Sequence, residues 1–170
     1  MSALPPKLKN FNATLNGTSY LGVVSEITLP KIAEKVEQHR GGGMMGEVDI
    51  GLGLEKLEME LKFGGMVAEL LAEVGRPGVG ATLIRFNGAY QEDVAGGVKA
   101  AELIARAKIP EVDPGSAKTG DNTEWTVKAT LSYLKWSVSG RRIVEIDVLN
   151  SIWITNGFDN YAAIRAAMLI

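Results

Sequence analysis

Apolar and polar residues alternate with a period of two along much of this chain, and that period predicts β-strands. The clearest run is 123–138, where Trp125, Val127 and Ala129 alternate with polar residues. Asn16-Gly17 between two short apolar runs is a hairpin signal, because both residues tolerate positive φ. The pattern predicts a mainly β (α+β) chain with two packed antiparallel sheets.

The alternation changes phase within the two longest runs. In residues 48–63, apolar side chains occupy even positions as far as Leu54 and odd positions from Leu57. In residues 123–138, the phase changes at Leu134. A shift of one residue exchanges the two faces of a strand, so each change predicts a bulge or a twist in a continuous strand.

Residues 98–109 fit two patterns. Their alanines favour a helix. The odd positions of 103–109 are all apolar, however, and the even positions between 102 and 108 are mostly charged. Because this alternation is nearly complete, we predict a strand.

Two segments have helical spacing instead. Apolar residues in 66–74 recur on one face of an α-helix, with Gly75 placed to end it. Near residue 160, Asp159 can cap a second helix whose apolar residues are three or four positions apart from Tyr161 to Met168. We therefore expect one internal helix, with its apolar stripe facing the core, and one C-terminal helix.

Residues 31–46 form a long, charged segment that a small domain does not need for its own hydrophobic core. The strand before it ends at Pro30, charged and apolar residues then alternate, and three glycines follow. We predict a protruding hairpin arm whose partner is another copy of the chain. The expected inter-subunit contacts are Lys31, Glu34, Lys35, Glu37, His39, Arg40, Gly41, Gly42, Gly43 and Met44.

Length and charge narrow the class of protein. A chain of 170 residues suits a single domain, 1–170. The net charge of −2 argues against a basic surface that grips nucleic acid. The first residues lack the apolar stretch of a signal peptide, and no apolar run approaches the ~20 residues of a membrane span. We expect a soluble protein, cytoplasmic when made and without a membrane partner.

The sequence offers no catalytic, cofactor or metal site. There is no cysteine, and His39 is the only histidine, so a common zinc site cannot form. The glycine runs at 41–43 and 75–80 lack the Gly-Lys-Ser/Thr signature of a phosphate loop. We expect no enzyme. The rival interpretation, a small binding module or enzyme that holds an anion in these loops, would give a small particle stabilised by its ligand.

Seven motifs along the chain resemble those of one family. They are LPK at 29–31, HRGGGM at 39–44, DIGLGLE at 49–55, IRFNGAY at 84–90, EVDPG with KTG within 111–120, VEIDVLN at 144–150 and NGFD at 156–159. In this order they resemble the major tail tube protein of contractile-tailed bacteriophages, and also the tube proteins of R-type pyocins.

The resemblance implies a structural virion protein without enzymatic activity. Six copies would form a ring, rings would stack into the inner tail tube, and each copy would lend strands to one β-barrel. Genome DNA and a tape measure protein would occupy the lumen without specific binding. The implied partners are a sheath, a baseplate and a tail terminator, with assembly in the host cytoplasm. The alternative is the tube of a headless bacteriocin or a secretion system.

The polar faces of the two longest predicted strands are the candidates for the lumen. Acidic and basic side chains alternate there, so attraction for DNA phosphate would stay small. The predicted lumen-facing residues are Lys56, Glu58, Glu60, Lys62 and Lys128.

Overall fold

The computed structural model describes residues 4–170, and antiparallel strands make up most of it, which confirms the mainly β prediction. A 3-10 helix covers Ala68–Glu73, and one α-helix, α1, covers Ala162–Met168. The strands are β1 (Lys7–Leu15), β2 (Thr18–Ser19), β3 (Val24–Thr28), β4 (Glu34–His39), β5 (Val48–Leu54), β6 (Leu57–Phe63), β7 (Thr82–Gln91), β8 (Val98–Asp113), β9 (Trp125–Val138), β10 (Arg141–Asp147), β11 (Ile152–Thr155) and β12 (Phe158–Asp159).

Ten of these strands form one branched sheet with β9 at its centre. β8 pairs with one edge of β9. On the other edge, β6 pairs with β9 from Trp125 to Leu131, and β10 pairs with it from Tyr133 to Val138. β7, β1 and β2 follow β8, β11 and β12 follow β10, and β3 pairs with β6. No strand pairing closes this sheet within residues 4–170.

The second sheet is the hairpin of β4 and β5 alone. Two antiparallel sheets are therefore present, but they are not the two core-forming layers that the sequence predicts. The core belongs to the branched sheet. β8 and β9 are 16 and 14 residues long, and their pairing with each other extends through both halves of it, with two register shifts.

One hydrophobic cluster fills the inside of the branched sheet. It contains inward-facing residues of β1, β6, β7, β8 and β9, and Leu61, Leu103 and Val127 are fully buried. The strand prediction for 98–109 is confirmed, because β8 buries alternate residues from Ala101 to Ile109.

The two phase changes have different structural origins. In β9, the pairing with β8 skips Ser132, so the predicted bulge is confirmed, and Leu134 faces the core. In 48–63, the prediction of one continuous strand is wrong. The chain leaves the hairpin and enters the branched sheet at Glu55 and Lys56, which belong to neither strand.

The internal helix is a 3-10 helix, so the predicted α-helix over 66–74 is wrong. The burial pattern gives the physical reason. Val67 and Leu70 are buried and Glu73 is half-buried, and this three-residue spacing is the repeat of a 3-10 helix. The C-terminal capping residue is Val74, one residue before the predicted Gly75, and Gly75 follows it with φ +78°.

The predicted C-terminal helix is present, but its N-terminal capping residue is Tyr161, so the prediction that Asp159 caps it is wrong. Asp159 lies two residues before Tyr161, where its carboxylate accepts the Tyr161 N–H at 3.0 Å and pairs with Arg165 at 2.6 Å. The Arg165 guanidinium holds the pKa of Asp159 below its ordinary value. No residue of α1 is buried, so this chain does not cover its apolar side chains.

Candidate assembly surfaces

The β4–β5 hairpin lies apart from the branched sheet. β4 and β5 make their substantial contacts with each other, and every residue of β4 is exposed. At the base, the Glu55 N–H donates to the Ala33 carbonyl at 2.9 Å. A two-stranded hairpin with no covering layer gains little stability by itself. Its exposure fits the predicted arm, although the paired strands extend beyond residue 46 to Leu54.

Exposed apolar side chains accompany the charges of this hairpin. Cross-strand pairing puts Glu37 opposite Ile50 and His39 opposite Val48, so charged and apolar groups share a face. Met45 in the connecting loop is 99% exposed. The predicted contact residues do not include the apolar residues of 48–54, whose alternation predicted only a strand.

A tight turn shapes the glycine run. The Met44 N–H donates to the Gly41 carbonyl at 3.2 Å, and the Gly41 N–H donates to Met44 Sδ at 3.0 Å. Gly43 has φ +86°, the left-handed conformation that a type II turn requires at its third residue. The turn bends the chain back toward β5.

The predicted contact residues of the arm all belong to this hairpin or to its base. Lys31 is exposed just before it, and Gly41 and Met44 are half-buried within the turn. The other predicted contacts are exposed: Glu34, Lys35, Glu37, His39, Arg40, Gly42 and Gly43.

The predicted lumen residues share one polar face of the branched sheet. Glu60 pairs with Lys128 across β6 and β9, and Glu58 and Lys62 occupy alternate positions of β6. Lys56 precedes β6 and bonds Glu58 at 2.5 Å. Strand pairing adds residues that the sequence could not place there, because periodicity does not reveal which strands are neighbours. These are Glu26 and Thr28 of β3 and Lys108, Glu111 and Asp113 of β8.

Ion pairs connect the strands across this polar face. Lys62 lies 3.4 Å from Glu26, and Lys128 lies 3.0 Å from Glu111. Both lysines donate hydrogen bonds to these carboxylates, and these bonds raise the pKa of each lysine. Glu124, before β9, adds another carboxylate 3.7 Å from Lys62. Carboxylates outnumber lysines on this face, which gives it a slightly negative charge.

Two unpaired strand edges border the polar face. Within residues 4–170, β3 pairs only with β6, so its other edge is open. β7 leaves β8 at Ala107, and beyond it the isolated bridge from Val74 to Ile109 is the only pairing of these described residues on the same edge of β8. The face is therefore a four-stranded surface, in the order β3, β6, β9 and β8, with an open edge on each side. Such edges are templates for pairing with another chain.

No cluster of three or more metal-ligating side chains occurs within residues 4–170. In the same described part of the chain, no helix is long and apolar enough to cross a membrane.

Comparison with solved structures shows a shared fold. The chain superposes with TM-score 0.60 on a chain from the sheath/tube terminator of PVC, an extracellular contractile injection system, at 9% identity and with 79% of this chain and 97% of that chain covered. A chain from the PVC sheath-tube complex gives TM-score 0.58 at 10% identity, covering 78% and 91%. A chain from the anti-feeding prophage baseplate gives 0.55 at 15% identity, covering 81% and 97%.

Sequence comparison is more specific. The tail tube protein of Escherichia phage P2 is 41% identical over 160 residues, which cover 92% of this chain and 93% of that protein. The major tail tube protein of Serratia phage KSP20 is 38% identical over 162 residues, covering 94% and 92%. The family model for phage tail tube protein FII matches residues 5–168. The chain therefore belongs to the phage tail tube protein FII family, the structural tube proteins of contractile phage tails.

Proposed function

We propose that the chain acts as one tail-tube domain, 1–170, with residues 31–46 in its protruding arm. Six copies form a ring, and rings stack into the inner tail tube that conducts genome DNA into the host. The observation that carries this proposal is the four-stranded polar face with an open edge on β3 and another on β8.

Pairing β3 of one copy with the end of β8 in the next would satisfy both open edges. Repeated around a ring, that pairing makes a closed barrel and leaves no free edge in the wall. Pro110 lies in the bulged part of β8 and has no N–H to donate, so Glu111 to Asp113 supply the pairing segment. The polar face then lines the lumen.

The charges of that face suit a channel for DNA. Three of its four lysines, Lys56, Lys62 and Lys128, are already paired with carboxylates, and the excess charge of the face is negative. Tight DNA binding requires cations that neutralise phosphates, so this wall offers weak attraction and lets DNA and a tape measure protein pass. Lys56, Glu58, Glu60, Lys62 and Lys128 are the lumen residues of this arrangement.

The arm contacts the neighbouring copy or ring. Its charged side chains and its exposed apolar residues, Met45 among them, give it the mixed surface of an interface. Sheath, terminator and baseplate are named with the structures that share this fold, and we assign the same classes of partner to this tube. Rings would assemble in the host cytoplasm. A bacteriocin or injection-system tube would be built in the same way.

Disulfide trapping tests the ring directly, because the chain has no native cysteine. We pair Glu26→Cys or Thr28→Cys with Glu111→Cys or Asp113→Cys. Within one chain these positions are three strands apart, about 14 Å, which is beyond the reach of a disulfide. Oxidation should therefore give a ladder of linked copies that ends at six, and negative-stain images should show rings.

The matched control pairs Glu26→Cys with Glu102→Cys, since β7 already covers that part of β8. It should give no ladder. If all four test pairs also stay monomeric in assembled material, the proposed pairing of β3 with β8 is wrong. A monomeric wild-type chain at every concentration would contradict the tube itself.

A further inference from the structure

An exposed apolar knob lies at one end of β6. The Gly64 N–H donates to the Val23 carbonyl at 2.8 Å, which brings the segment before β3 beside the turn after β6. Leu21 and Val23 in the first segment are exposed, and Met66 in the second is 76% exposed. We call Leu21, Val23 and Met66 the knob. Exposed apolar groups gathered at one place mark an interaction site.

An apolar groove lies at the other end of β6. β6 leaves the edge of β9 at Leu131 and β10 pairs with it from Tyr133, and at the Ser132 bulge between them the Val148 N–H donates to the Ser132 carbonyl at 3.0 Å. The groove beside this bulge has Leu57 and Leu131 at its base. Val79, Val148 and Leu149 line it and are exposed.

The knob and the groove are separated by the length of β6. Seven residues of strand span roughly 23 Å. The two features therefore face different neighbours, and no contact within one chain can join them. A surface whose complement lies elsewhere on the same molecule generates head-to-tail assembly.

The charges beside the two features are complementary. Glu69 lies near the knob, since it lines a cavity together with Tyr20. Lys108 lies on the rim of the groove, where Glu55 and Lys56 also lie. Lys56 bonds Glu58, whereas Glu69 and Lys108 have no ion-pair partner within the described residues.

We propose that the knob of one copy enters the groove of a second copy in the adjacent ring, with Glu69 facing Lys108 across the junction. The inference rests on the proposed function, and it adds an axial contact separate from the arm. It identifies Met66 as the central apolar residue and the groove beside Ser132 as its receptor.

Met66→Asp tests the apolar part of the contact. Met66 is exposed, so the variant should keep the melting temperature of the wild type and still form rings. Stacking should fail, because a carboxylate would be buried in an apolar groove. The readouts are sedimentation and the length of tubes in negative-stain images. Val94→Asp, an equal change at an exposed valine in the β7–β8 loop, is the control and should stack normally.

Exchanging the charges of Glu69 and Lys108 tests how the two copies are oriented at the junction. Glu69→Lys and Lys108→Glu should each shorten the tubes at low salt, and the double variant should restore their length. Normal stacking by Met66→Asp, or the absence of rescue in the double variant, would overturn the inference. If the wild type forms tubes in the same experiment, the proposed function is not affected by that result. Failure of the wild type to form rings would instead contradict the proposed function.

Discussion

Gly43 is the residue of the glycine run whose backbone conformation requires glycine. Its φ of +86° is left-handed, whereas Gly42 is not among the residues with positive φ. An added Cβ meets no atom within 4 Å at either position. The two residues therefore differ in conformation and not in available space.

We predict that Gly43→Val impairs tube assembly more than Gly42→Val. A β-branched residue in the left-handed region costs on the order of 1–2 kcal/mol, and the turn would open to avoid that cost. Assembly can be followed by light scattering for both variants at matched concentration. Equal assembly of the two would show that the turn tolerates another conformation.

Glu73 holds the 3-10 helix against the sheet. It accepts a hydrogen bond from the buried Thr82 hydroxyl at 2.5 Å and pairs with Arg76 at 3.1 Å. Burial alone would raise the pKa of Glu73, but hydrogen bonds from Thr82, Arg76 and Asn16 lower it below the ordinary value of 4.5. The carboxylate is thus stabilised in its charged form.

We predict that Glu73→Ala lowers the free energy of unfolding by about 1–3 kcal/mol at pH 7, because the Thr82 hydroxyl loses its acceptor. The contribution of Glu73 is present above pH 4.5 and is lost as pH falls through the lower folded-state pKa. Urea unfolding at pH 7 and pH 3 should show the gap between wild type and variant narrowing in acid. The control is Glu69→Ala, because Glu69 lies about one turn away and has no ion pair; it should change the free energy of unfolding little. An equal loss of stability in Glu69→Ala and Glu73→Ala would show that the hydrogen bond between Glu73 and Thr82 is not the cause.

The β4–β5 hairpin can be removed as an element. Glu34 and Leu54 lie opposite each other in the register, about 5 Å apart at their Cα atoms. Replacing residues 35–53 with an Asn-Gly turn should leave the core and its melting temperature nearly unchanged, because the hairpin has little contact with the branched sheet. We predict that this variant does not form tubes, as judged by sedimentation. Tubes of normal length would show that the arm has no role in assembly.

The strands could be predicted from periodicity, and their partners could not. The alternation of apolar and polar residues predicted strands β8 and β9 and the bulge near Leu134. A β-bulge within one strand and a break between two strands both shift the phase of the apolar–polar alternation. The alternation alone therefore could not show that β5 and β6 are separate strands. The stripe in 66–74 fits both helix types, and the distinction depends on Val67 and Leu70 packing at a three-residue spacing.

The candidate surfaces were likewise predictable only in part. The exposed, glycine-tipped arm was evident from its charged residues, which do not fit a hydrophobic core. The polar face was only half evident, because Glu26 and Glu111 join it through the pairing of β3 with β6 and of β8 with β9. No pattern in the sequence indicated the knob or the groove, because the residues that form each of them are distant from one another in the sequence.

At the scale of the whole molecule, the proposed tube would expose the polar face to the DNA in its channel. Glu58→Lys with Glu60→Lys reverses its charge excess, and we predict that tubes of this variant bind DNA with an affinity that falls steeply with salt. Assembly should persist, and DNA release from particles should slow. Glu92→Lys with Asp93→Lys makes the same charge change in the β7–β8 loop and should not affect release. Failed sheath attachment with normal release would place the face on the outer wall.

The weakly supported arm also has a consequence for the kinetics of growth. A hairpin that is marginal in isolation must be ordered when it docks, and that ordering reduces the gain from any single contact. In the proposed tube, a ring that docks on another ring would bring several arms at once, and every docking event after the first would be effectively intramolecular. Single chains in solution would therefore gain little by pairing through their arms, whereas a complete ring would be held firmly. We expect polymerisation of this kind to have a lag and a critical concentration, and to extend existing tubes in preference to starting new ones.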